Sequence, residues 1–556
     1  MIREIFKTIN NSHNLTIFIF LIVSIILAIS DLLGALTISI LVSFITDGSE
    51  FFKKKIPFLF EYLGSDKKEA FINIFILTSL FFYLSVLIRT IYGYKKIKFV
   101  NEIKIFIGKK SFAKFLNIPF SRFVKYTNAE IQTLLNFEAE RFSACVFSII
   151  RINEGLVSVL ILFVSLIIID FSYMIYFLIF SILFYLSYRL VKPTLLKNDK
   201  ILRLSNIKMV DTINETISNI KLIKIQKMFS YFFEKFVSEG NKFSKSRTVH
   251  QYLPVLTKNV IEFSLFSLFI VIVVVYLNSG ENNINELLPI ITFFLVLAYR
   301  LIPSFQTIYA AIVSLSSSKS AITSISDNLK ISDDEFKSLD NLEFKKNLKF
   351  KNISFKYNEK SPYIHLNLNL DIAKNSLNVI LGKSGSGKST FLDLFSGLLR
   401  PDDGEIKVDE VKLTRNNIIS WQNKIGYMGQ DLVLFNDTIK KNIEFGLNKA
   451  ISDKEFDDIL EKFFEDEEKV KFTDSEFLVG ERGSKISFGQ RQRVILARQF
   501  FSEKEVILLD EPTSSLDYNN ITKLKAAIKK IKGKKTILIT SHNEAFNDIA
   551  DQLINL

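Results

Sequence analysis

Eight residues, Gly382 to Ser389, have the types and spacing needed to bind the phosphates of a nucleotide. They read GKSGSGKS and fit the pattern GxxxxGK[ST]. Glycines let backbone N–H groups converge on phosphate oxygens, and the N-terminus of a following helix adds its positive end. Lys388 would reach the β- and γ-phosphates, and the Ser389 hydroxyl would bind Mg²⁺. The phosphate-binding residues predicted here are Gly382, Ser384, Gly385, Ser386, Gly387, Lys388, Ser389 and Thr390.

A pair of carboxylates supplies the chemistry that a phosphate loop lacks. The stretch EVILLDEP at 505–512 has four apolar residues that predict a buried strand ending in Asp510 and Glu511. Asp510 suits Mg²⁺, directly or through water, and Glu511 suits the polarisation of an attacking water. The sequence therefore predicts nucleotide hydrolysis at this strand end.

The surrounding elements place these residues on a strand-turn-helix framework. NLKFKNISFKY alternates like a strand, and SLNVILGKSGSGKSTFLDLFSGLL reads as strand, glycine-rich turn and helix. Gln430 lies in GYMGQDLVLFNDTI, the run GERGSKISFGQRQRVILARQF occupies 480–500, and His542 follows the strand KTILITSH. An α/β P-loop ATPase domain is predicted over 343–556.

This ordered set of motifs resembles the nucleotide-binding domain of ABC transporters. The resemblance implies ATP and Mg²⁺ as cofactors and gives roles to three residues. Tyr357 matches the aromatic that stacks on adenine, and His542 matches the γ-phosphate-sensing histidine. Gln430 matches the glutamine that couples the nucleotide site to the membrane helices and joins the metal site. Glu511, His542 and Gln430 are the predicted catalytic residues.

The resemblance also implies that a second chain completes each ATP site. SFGQ matches the signature motif, in which Ser487, Gly489 and Gln490 would grip the γ-phosphate across a dimer. SSLD at 514–517, with Asp517, matches the loop that touches the opposite site. Phe488 departs from the family pattern by replacing the first glycine. We favour a homodimer because Glu511 and His542 are intact, with a heterodimer of unequal sites as the alternative.

The N-terminal half contains six segments long and apolar enough to cross a bilayer, which takes roughly 20 helical residues. These segments are 15–46, 71–92, 144–169, 173–190, 256–277 and 287–313. The intervening connections at 93–143 and 191–255 are long, rich in Lys and Arg, and helical in their apolar spacing. Their basic character places both termini in the cytoplasm. The external stretch 50–64 is either an amphipathic surface helix or a plain loop.

Composition excludes several other classes of protein. The formal charge of +13 fits basic cytoplasmic loops better than nucleic-acid binding, since no nucleic-acid motif accompanies it. The single cysteine, Cys145, cannot form an internal disulfide. The N-terminal apolar stretch is too long for a signal-peptide core and is interpreted as a retained membrane anchor.

The predicted fold is an α-helical membrane domain of six long transmembrane helices, type IV or exporter-like, followed by the α/β P-loop ATPase domain. The predicted boundaries are 1–326 for the membrane domain, 327–342 for a linker and 343–556 for the nucleotide-binding domain. Six spans fused to one such domain resemble exporter half-transporters of the bacterial inner (cytoplasmic) membrane. The six spans exclude a wholly soluble ABC protein.

Charged residues inside the membrane spans indicate which class of substrate the protein carries. Burying an arginine in hydrocarbon costs on the order of 3 kcal/mol or more, so Arg300 in FFLVLAYRLIPSF and Arg89 need a reason. Each is a member of a structural ion pair, a helix-end residue that snorkels to the interface, or a ligand in a wet cavity. LAYRLIPS, Arg89, the acid in AISDLLGAL and the lysine-aromatic external segment together resemble bacterial flippases of polyprenyl-pyrophosphate-linked oligosaccharides. The resemblance implies an amphipathic, lipid-linked glycan as the substrate within the membrane lipid. Lys258, near the start of the fifth span, would add to the ring of basic residues. The alternatives are an exporter of an antimicrobial peptide or drug, and an ATP-gated channel or regulator.

Overall fold

The computed structural model divides the chain into two compact units. One comprises residues 1–116 and 126–331, and the other comprises 117–125 and 332–556. The residues described are 2–9, 11–45, 67–169, 173–278, 302–330, 340–359, 361–447, 450–464, 466–474, 476–513 and 518–556. The external stretch 50–64 lies outside them. The predicted linker, 327–342, begins within a helix that ends at Lys330.

The first unit is helical throughout the part that is described. Its helices are Ile2–Thr8, Asn11–Ile45, Lys67–Leu116, Asn128–Gln132, Ala139–Ile169, Tyr173–Ser218, Ile220–Ile225, Phe229–Asn278, 302–317 and Lys319–Lys330, with a π-helical turn at Thr133–Glu138. Among the described residues, three segments are long and apolar enough to cross a membrane: Ser12–Val42, Lys68–Leu116 and Asn128–Ile161. The helices confirm the predicted multi-pass helical domain.

Three of these helices are far longer than a bilayer requires. Lys67–Leu116 and Phe229–Asn278 have 50 residues each, and Tyr173–Ser218 has 46. At 1.5 Å per residue they extend about 70–75 Å, more than twice the thickness of the hydrocarbon core. Lys67–Leu116 changes along its length from apolar to lysine-rich. The basic connections are therefore continuations of membrane helices, as the apolar spacing predicts.

Ionisable residues in the spans pair between helices rather than within one. The Arg89 guanidinium donates to both carboxylate oxygens of Asp31, at 2.8 and 2.7 Å, and Asp31 also accepts from Ser85. The carboxylate of Glu154, spaced to pair with Arg151 on its own helix, instead binds Lys96 Nζ at 2.7 Å. Packing of adjacent helices brings these partners together, although they are 58 residues apart in both pairs.

A buried ionic cluster joins the helices near the end of the first unit. Arg141 donates to Glu138 at 3.2 Å and contacts the carboxylate of Asp199 and the carbonyl of Ser317. Asp199 in turn accepts from the backbone N–H of Ser320 at 3.0 Å. Arg141, Glu138 and Asp199 are all buried. The cluster thus fixes the break between the helices 302–317 and Lys319–Lys330 against two other helices.

The second unit contains two sheets. The strands are β1 Asn347–Phe355, β2 His365–Ala373, β3 Leu377–Leu381, β4 Asp403–Val408, β5 Val411–Lys412, β6 Ile425–Met428, β7 Val506–Asp510, β8 Thr536–Ser541 and β9 Gln552–Asn555. Four of them form an antiparallel sheet in the order β2-β1-β4-β5, and five form a parallel sheet in the order β6-β7-β8-β3-β9.

Helices cover the parallel sheet and complete the unit. They are Lys388–Phe395, Ile418–Gln422, Ile439–Glu444, Asp453–Phe463, Asp466–Phe472, Phe488–Phe501 and Tyr518–Ile531, with Phe120–Phe123 from the other part of the chain and a 3₁₀ turn at Glu481–Gly483.

Both faces of the parallel sheet are buried, which explains its uninterrupted apolar strands. Alternate residues of β7 enter different cores: Ile507 and Leu509 pack in one, and Val506 and Leu508 in the other. Because side chains alternate across a strand, a run such as VILLD supplies both cores at once. A sheet buried in this way is a rigid support for residues at the ends of its strands.

Candidate functional site

The site residues follow the carboxyl ends of four neighbouring parallel strands. Gly382 follows β3, Gln430 lies just after β6, Glu511 follows β7 and His542 follows β8. The register pairs Leu381 with Ser541, so these ends lie at one edge of the sheet. Ligands of open parallel sheets bind at this edge. The predicted strand-turn-helix context of the phosphate loop is therefore confirmed.

The phosphate loop has the backbone shape that its glycines allow. Gly385 and Gly387 have φ values of +81° and +95°, in the region that favours glycine. A Cβ on Gly387 would come within 2.5 Å of the side chain of Ile364. The Ser386 hydroxyl is buried, and no hydrogen-bond partner is found for it in the described part of the chain. A close-fitting loop with an unsatisfied hydroxyl fits the phosphate chain of a nucleotide.

Lys388 is buried at the start of the helix Lys388–Phe395. Its ammonium donates to the carbonyls of Gly382 at 2.9 Å and Lys383 at 3.1 Å, and to His542 Nδ1 at 3.2 Å. It also lies 3.8 Å from the Glu511 carboxylate. The lysine thus links the phosphate loop to the residues that follow β7 and β8.

Three oxygen-bearing side chains meet where a hard cation would bind. Ser389 Oγ donates to Asp510 Oδ2 at 2.8 Å, and Thr540 Oγ1 donates to Asp510 Oδ1 at 2.7 Å. Mg²⁺ prefers one or two carboxylates together with substrate phosphates. The Ser389–Asp510 pair beside the phosphate loop fits that donor set, so these two residues would hold the ion.

Glu511 is held in place from two sides. Its carboxylate accepts from Gln430 Nε2 at 2.9 Å and contacts His542 Nε2. Because a carboxylate accepts hydrogen bonds, His542 Nε2 is the donor to Glu511, while His542 Nδ1 lies 3.2 Å from both Lys388 Nζ and the Gly382 carbonyl. Glu511 also has a φ of +51°, which a non-glycine residue rarely adopts and which clusters at functional sites. The arrangement presents a fixed carboxylate suited to activate water.

Tyr357 is tied to the end of the phosphate loop. Its hydroxyl lies 3.2 Å from Thr390 Oγ1, and its ring packs edge-on against Phe355 with centroids 5.1 Å apart. The ring remains half exposed. The role of Tyr357 as a stacking surface for a base stays a prediction.

Burial changes the protonation of the groups behind the loop. Burial and, to a smaller extent, the negative charge of Asp510 together raise the pKa of Asp393 to about 6. Burial and the same carboxylates raise the pKa of Tyr427 as well. Asp393 therefore titrates close to neutral pH, well above an ordinary aspartate.

The signature residues are positioned by a different element. Ser487 caps the helix Phe488–Phe501, and its side chain accepts from the backbone N–H of Gln490 at 3.2 Å. A Cβ on Gly489 would meet open space. The Phe488 ring is 37% exposed, with the Arg491 guanidinium 5.4 Å from its centroid. Within the described residues, no hydrogen bond joins Ser487, Gly489 or Gln490 to the phosphate loop.

Some of the predicted site residues fall outside what the structure describes. Asp517 and Arg300 lie among the residues left undescribed. For Lys258, the description is limited to the backbone, which lies in the helix Phe229–Asn278. Arg89 is described, and its side chain is 51% exposed although it pairs with Asp31.

The structure adds three residues that the motifs did not reveal. Thr540 both donates to Asp510 and accepts from the backbone N–H of Glu511 at 2.9 Å, so it sets the end of β7. His365 Nε2 lies 3.1 Å from the Gly387 carbonyl, directly behind the phosphate loop. Glu468 contacts the signature helix. The sequence signal that could have found Thr540 is its position two residues before His542. His365 and Glu468 have no such signal in the sequence.

Comparison with known proteins agrees with this geometry. The family model described as ABC transporter matches residues 366–514. An ATP-dependent lipid A-core flippase of Wigglesworthia glossinidia brevipalpis is 32% identical over 196 residues, which is 35% of this chain and 34% of the flippase. A multidrug resistance ABC transporter ATP-binding and permease protein of Lactococcus lactis is 27% identical over 333 residues, 59% of this chain and 56% of that protein. The matched segment thus spans about a third of the flippase's length and about half of the multidrug protein's.

The fold is similar over nearly the whole chain to a solved structure. A bacterial Atm1-family ABC exporter with ATP bound superimposes with a TM-score of 0.82, covering 98% of this chain and 94% of that one at 17% identity. Fold and site together define a P-loop ATP-binding domain joined to a bundle of membrane-length helices. More particularly, residues 366–514 match the family model described as ABC transporter, and the chain shares the fold of the Atm1-family ABC exporter.

Proposed function

We propose that the chain is a half-transporter that uses ATP hydrolysis to export or flip an amphipathic substrate across the bacterial inner membrane. The observation that carries this proposal is the Glu511 carboxylate, held by Gln430 and His542 beside the Ser389–Asp510 pair and the phosphate loop. Such a constellation suits phosphoryl transfer to water and serves no evident structural need.

The residues divide the work of hydrolysis among them. Lys388 and the loop amides would bind the phosphates. Ser389 and Asp510 would hold Mg²⁺, which would supply positive charge beside the phosphate oxygens. Glu511 orients water and accepts its proton, while His542 donates to Glu511 and keeps the carboxylate in position. Gln430, which binds the same carboxylate, would report the state of the site to the membrane helices.

A second copy of the chain completes each ATP site in this proposal. The phosphate loop and the signature helix belong to different elements, and the described residues of one chain show no hydrogen bond between them. A symmetric pair would bring each loop to the partner's signature, as a two-fold interface allows. The fold of the Atm1-family exporter supports this arrangement.

The substrate we propose is a polyprenyl-pyrophosphate-linked oligosaccharide. Arg89, Arg300 and Lys258 would bind the pyrophosphate, since a guanidinium forms paired, charge-assisted bonds with phosphate oxygens. The flippase relative supports a lipid substrate. Asp31 weakens the case for Arg89, because it already binds that guanidinium. The second candidate is export of a drug or antimicrobial peptide, which the longer match to the multidrug relative favours.

Purified protein in liposomes would separate these candidates. A fluorescent lipid-linked oligosaccharide and an amphipathic drug are each supplied with Mg²⁺ and ATP, and translocation and ATP hydrolysis are measured. We expect the lipid to cross the membrane and to stimulate hydrolysis. If the drug is transported and the lipid is not, the second candidate is selected. If neither compound is transported and neither stimulates ATP hydrolysis, the proposal of an exporter is contradicted.

Replacing Arg300 tests the headgroup site. Arg300→Ala should lower translocation of the pyrophosphate lipid at least tenfold and remove its stimulation of ATP hydrolysis. Arg300→Lys should restore part of the transport, because an ammonium cannot make the paired contact of a guanidinium. Lys98→Ala, which removes an exposed charge paired with Glu102, is the control and should transport normally. Normal folding with full lipid transport by Arg300→Ala would end the headgroup proposal.

Restoring glycine at Phe488 tests whether the altered signature is impaired. Phe488→Gly should change the ATP hydrolysis rate less than about threefold, because the Ser487 cap and the open space at Gly489 persist. The loss of the Arg491 contact and of helix propensity should lower stability by about 1 kcal/mol. Steady-state hydrolysis and thermal melting measure the two effects. A hundredfold gain in rate would instead indicate one half of a heterodimer with unequal sites.

A further inference from the structure

A carboxylate outside every recognised motif contacts the signature helix. Glu468, on the helix Asp466–Phe472, accepts from Gln490 Nε2 at 2.9 Å. The same carboxylate oxygen contacts the guanidinium of Arg493, whose plane lies 5.7 Å from the centroid of the Phe464 ring. The side chains of Glu468 and Arg493 are each only 14% exposed. An ion pair that is mostly shielded from solvent therefore stands directly behind the first turn of the signature helix.

The ionised carboxylate determines which way the Gln490 amide points. An ionised carboxylate only accepts hydrogen bonds, so the NH₂ group of Gln490 must face Glu468. The amide oxygen is then directed at the backbone N–H of Ser487, which it accepts at 2.8 Å. The backbone N–H of Gln490 donates to Ser487 Oγ at 3.2 Å. The contact from the Ser487 N–H depends on this orientation, because a flipped amide would set a donor against that N–H.

We propose that Glu468 is a positioning residue for ATP binding, acting through Gln490 to hold Ser487 in the geometry that meets phosphate. The inference rests on the proposed function of the signature and adds a residue to it. Glu468 touches no substrate. Its negative charge, fixed by Arg493, selects the capping geometry of the helix Phe488–Phe501. Losing it frees the amide to rotate and weakens the hydrogen bond that fixes the Ser487 backbone N–H.

The main test compares the apparent affinity for ATP across Glu468 variants. Glu468→Ala should raise the KM for Mg-ATP about fivefold, with kcat changed less than twofold. Glu468→Gln should restore most of the affinity, because its amide oxygen can still accept from Gln490. Glu461→Ala is the matched control: it removes an exposed carboxylate paired with Lys469 in the same region and should leave KM unchanged.

A double-mutant cycle separates positioning from folding. With Gln490→Ala already present, Glu468→Ala should raise KM no further, although its effect on melting temperature should persist. Glu468→Ala leaves Arg493 without this partner, which could itself lower stability. The double variant Glu468→Leu with Arg493→Leu avoids this effect, because it removes both charges and keeps apolar side chains in the same place. This double variant should fold and show the same fivefold rise in KM.

Failure of this inference and failure of the proposed function on which it rests give different experimental results. Wild-type protein without Mg-ATP hydrolysis would overturn the proposed function. If the wild type hydrolyses Mg-ATP but Glu468→Ala keeps a normal KM, the positioning role alone is overturned. The same conclusion follows if Glu468→Ala raises KM by the same factor with Gln490→Ala present as without it.

Discussion

Glu511→Gln should lower ATP turnover by about 10³-fold while leaving ATP binding nearly intact. A positioned general base contributes roughly 10²–10⁴-fold to rate, and glutamine keeps the size of the side chain but cannot accept the proton. The amide oxygen can still accept a hydrogen bond from Gln430 or His542, which hold the wild-type carboxylate. The variant should therefore fold, bind Mg-ATP and retain it.

The measurements are single-turnover hydrolysis, binding of a fluorescent ATP analogue and thermal melting. Glu505→Gln is the matched control because Glu505 lies just before the other end of β7, where it pairs with Lys374 and Lys424. It should hydrolyse ATP at the wild-type rate within about twofold. If Glu511→Gln turned over ATP within tenfold of wild type, the catalytic assignment would be wrong, since binding and folding are measured separately.

The parts of the site that the sequence predicts are those that short segments encode. Glycines in the phosphate loop permit the positive φ values at Gly385 and Gly387, and the apolar run before Asp510 is a strand buried on both faces. Because parallel strands end at one edge, the motifs after β3, β7 and β8 had to converge. Local pattern and sheet topology together were enough to assemble this half of the site.

The parts that could not be predicted depend on contacts between distant segments. Arg151 and Glu154 are three residues apart, a spacing at which side chains of one helix can pair, but Glu154 binds Lys96 of a neighbouring helix. Arg89 has no acidic residue three or four positions away, yet Asp31 reaches it from a neighbouring helix. Glu468 lies 22 residues before Gln490 in a segment without a motif. No periodicity of a single element specifies such partners.

The buried cluster around Arg141 is the same kind of contact, and it should matter greatly for stability. Arg141 binds Glu138, Asp199 and the carbonyl of Ser317, and all three ionisable side chains are buried. Removing one member of a buried ion pair costs about 3–5 kcal/mol, because the remaining charge is left in a poorly solvated place. An exposed pair is worth about 0–1 kcal/mol. The burial of an ion pair therefore determines the loss of stability more than its charge does.

Arg141→Met should accordingly lower the melting temperature of the detergent-purified protein by roughly 10 °C. Lys104→Met is the control, because Lys104 pairs with Glu140 at 2.9 Å with both side chains exposed, and it should shift melting by less than about 3 °C. Adding Asp199→Leu to Arg141→Met removes a stranded charge and should recover part of the loss, although Ser320 then loses its acceptor. The recovery measures how much of the penalty comes from the unpaired carboxylate rather than from lost packing. If Arg141→Met melted like Lys104→Met, water would have to reach the cluster, and these helices would not be clamped by a buried ion pair.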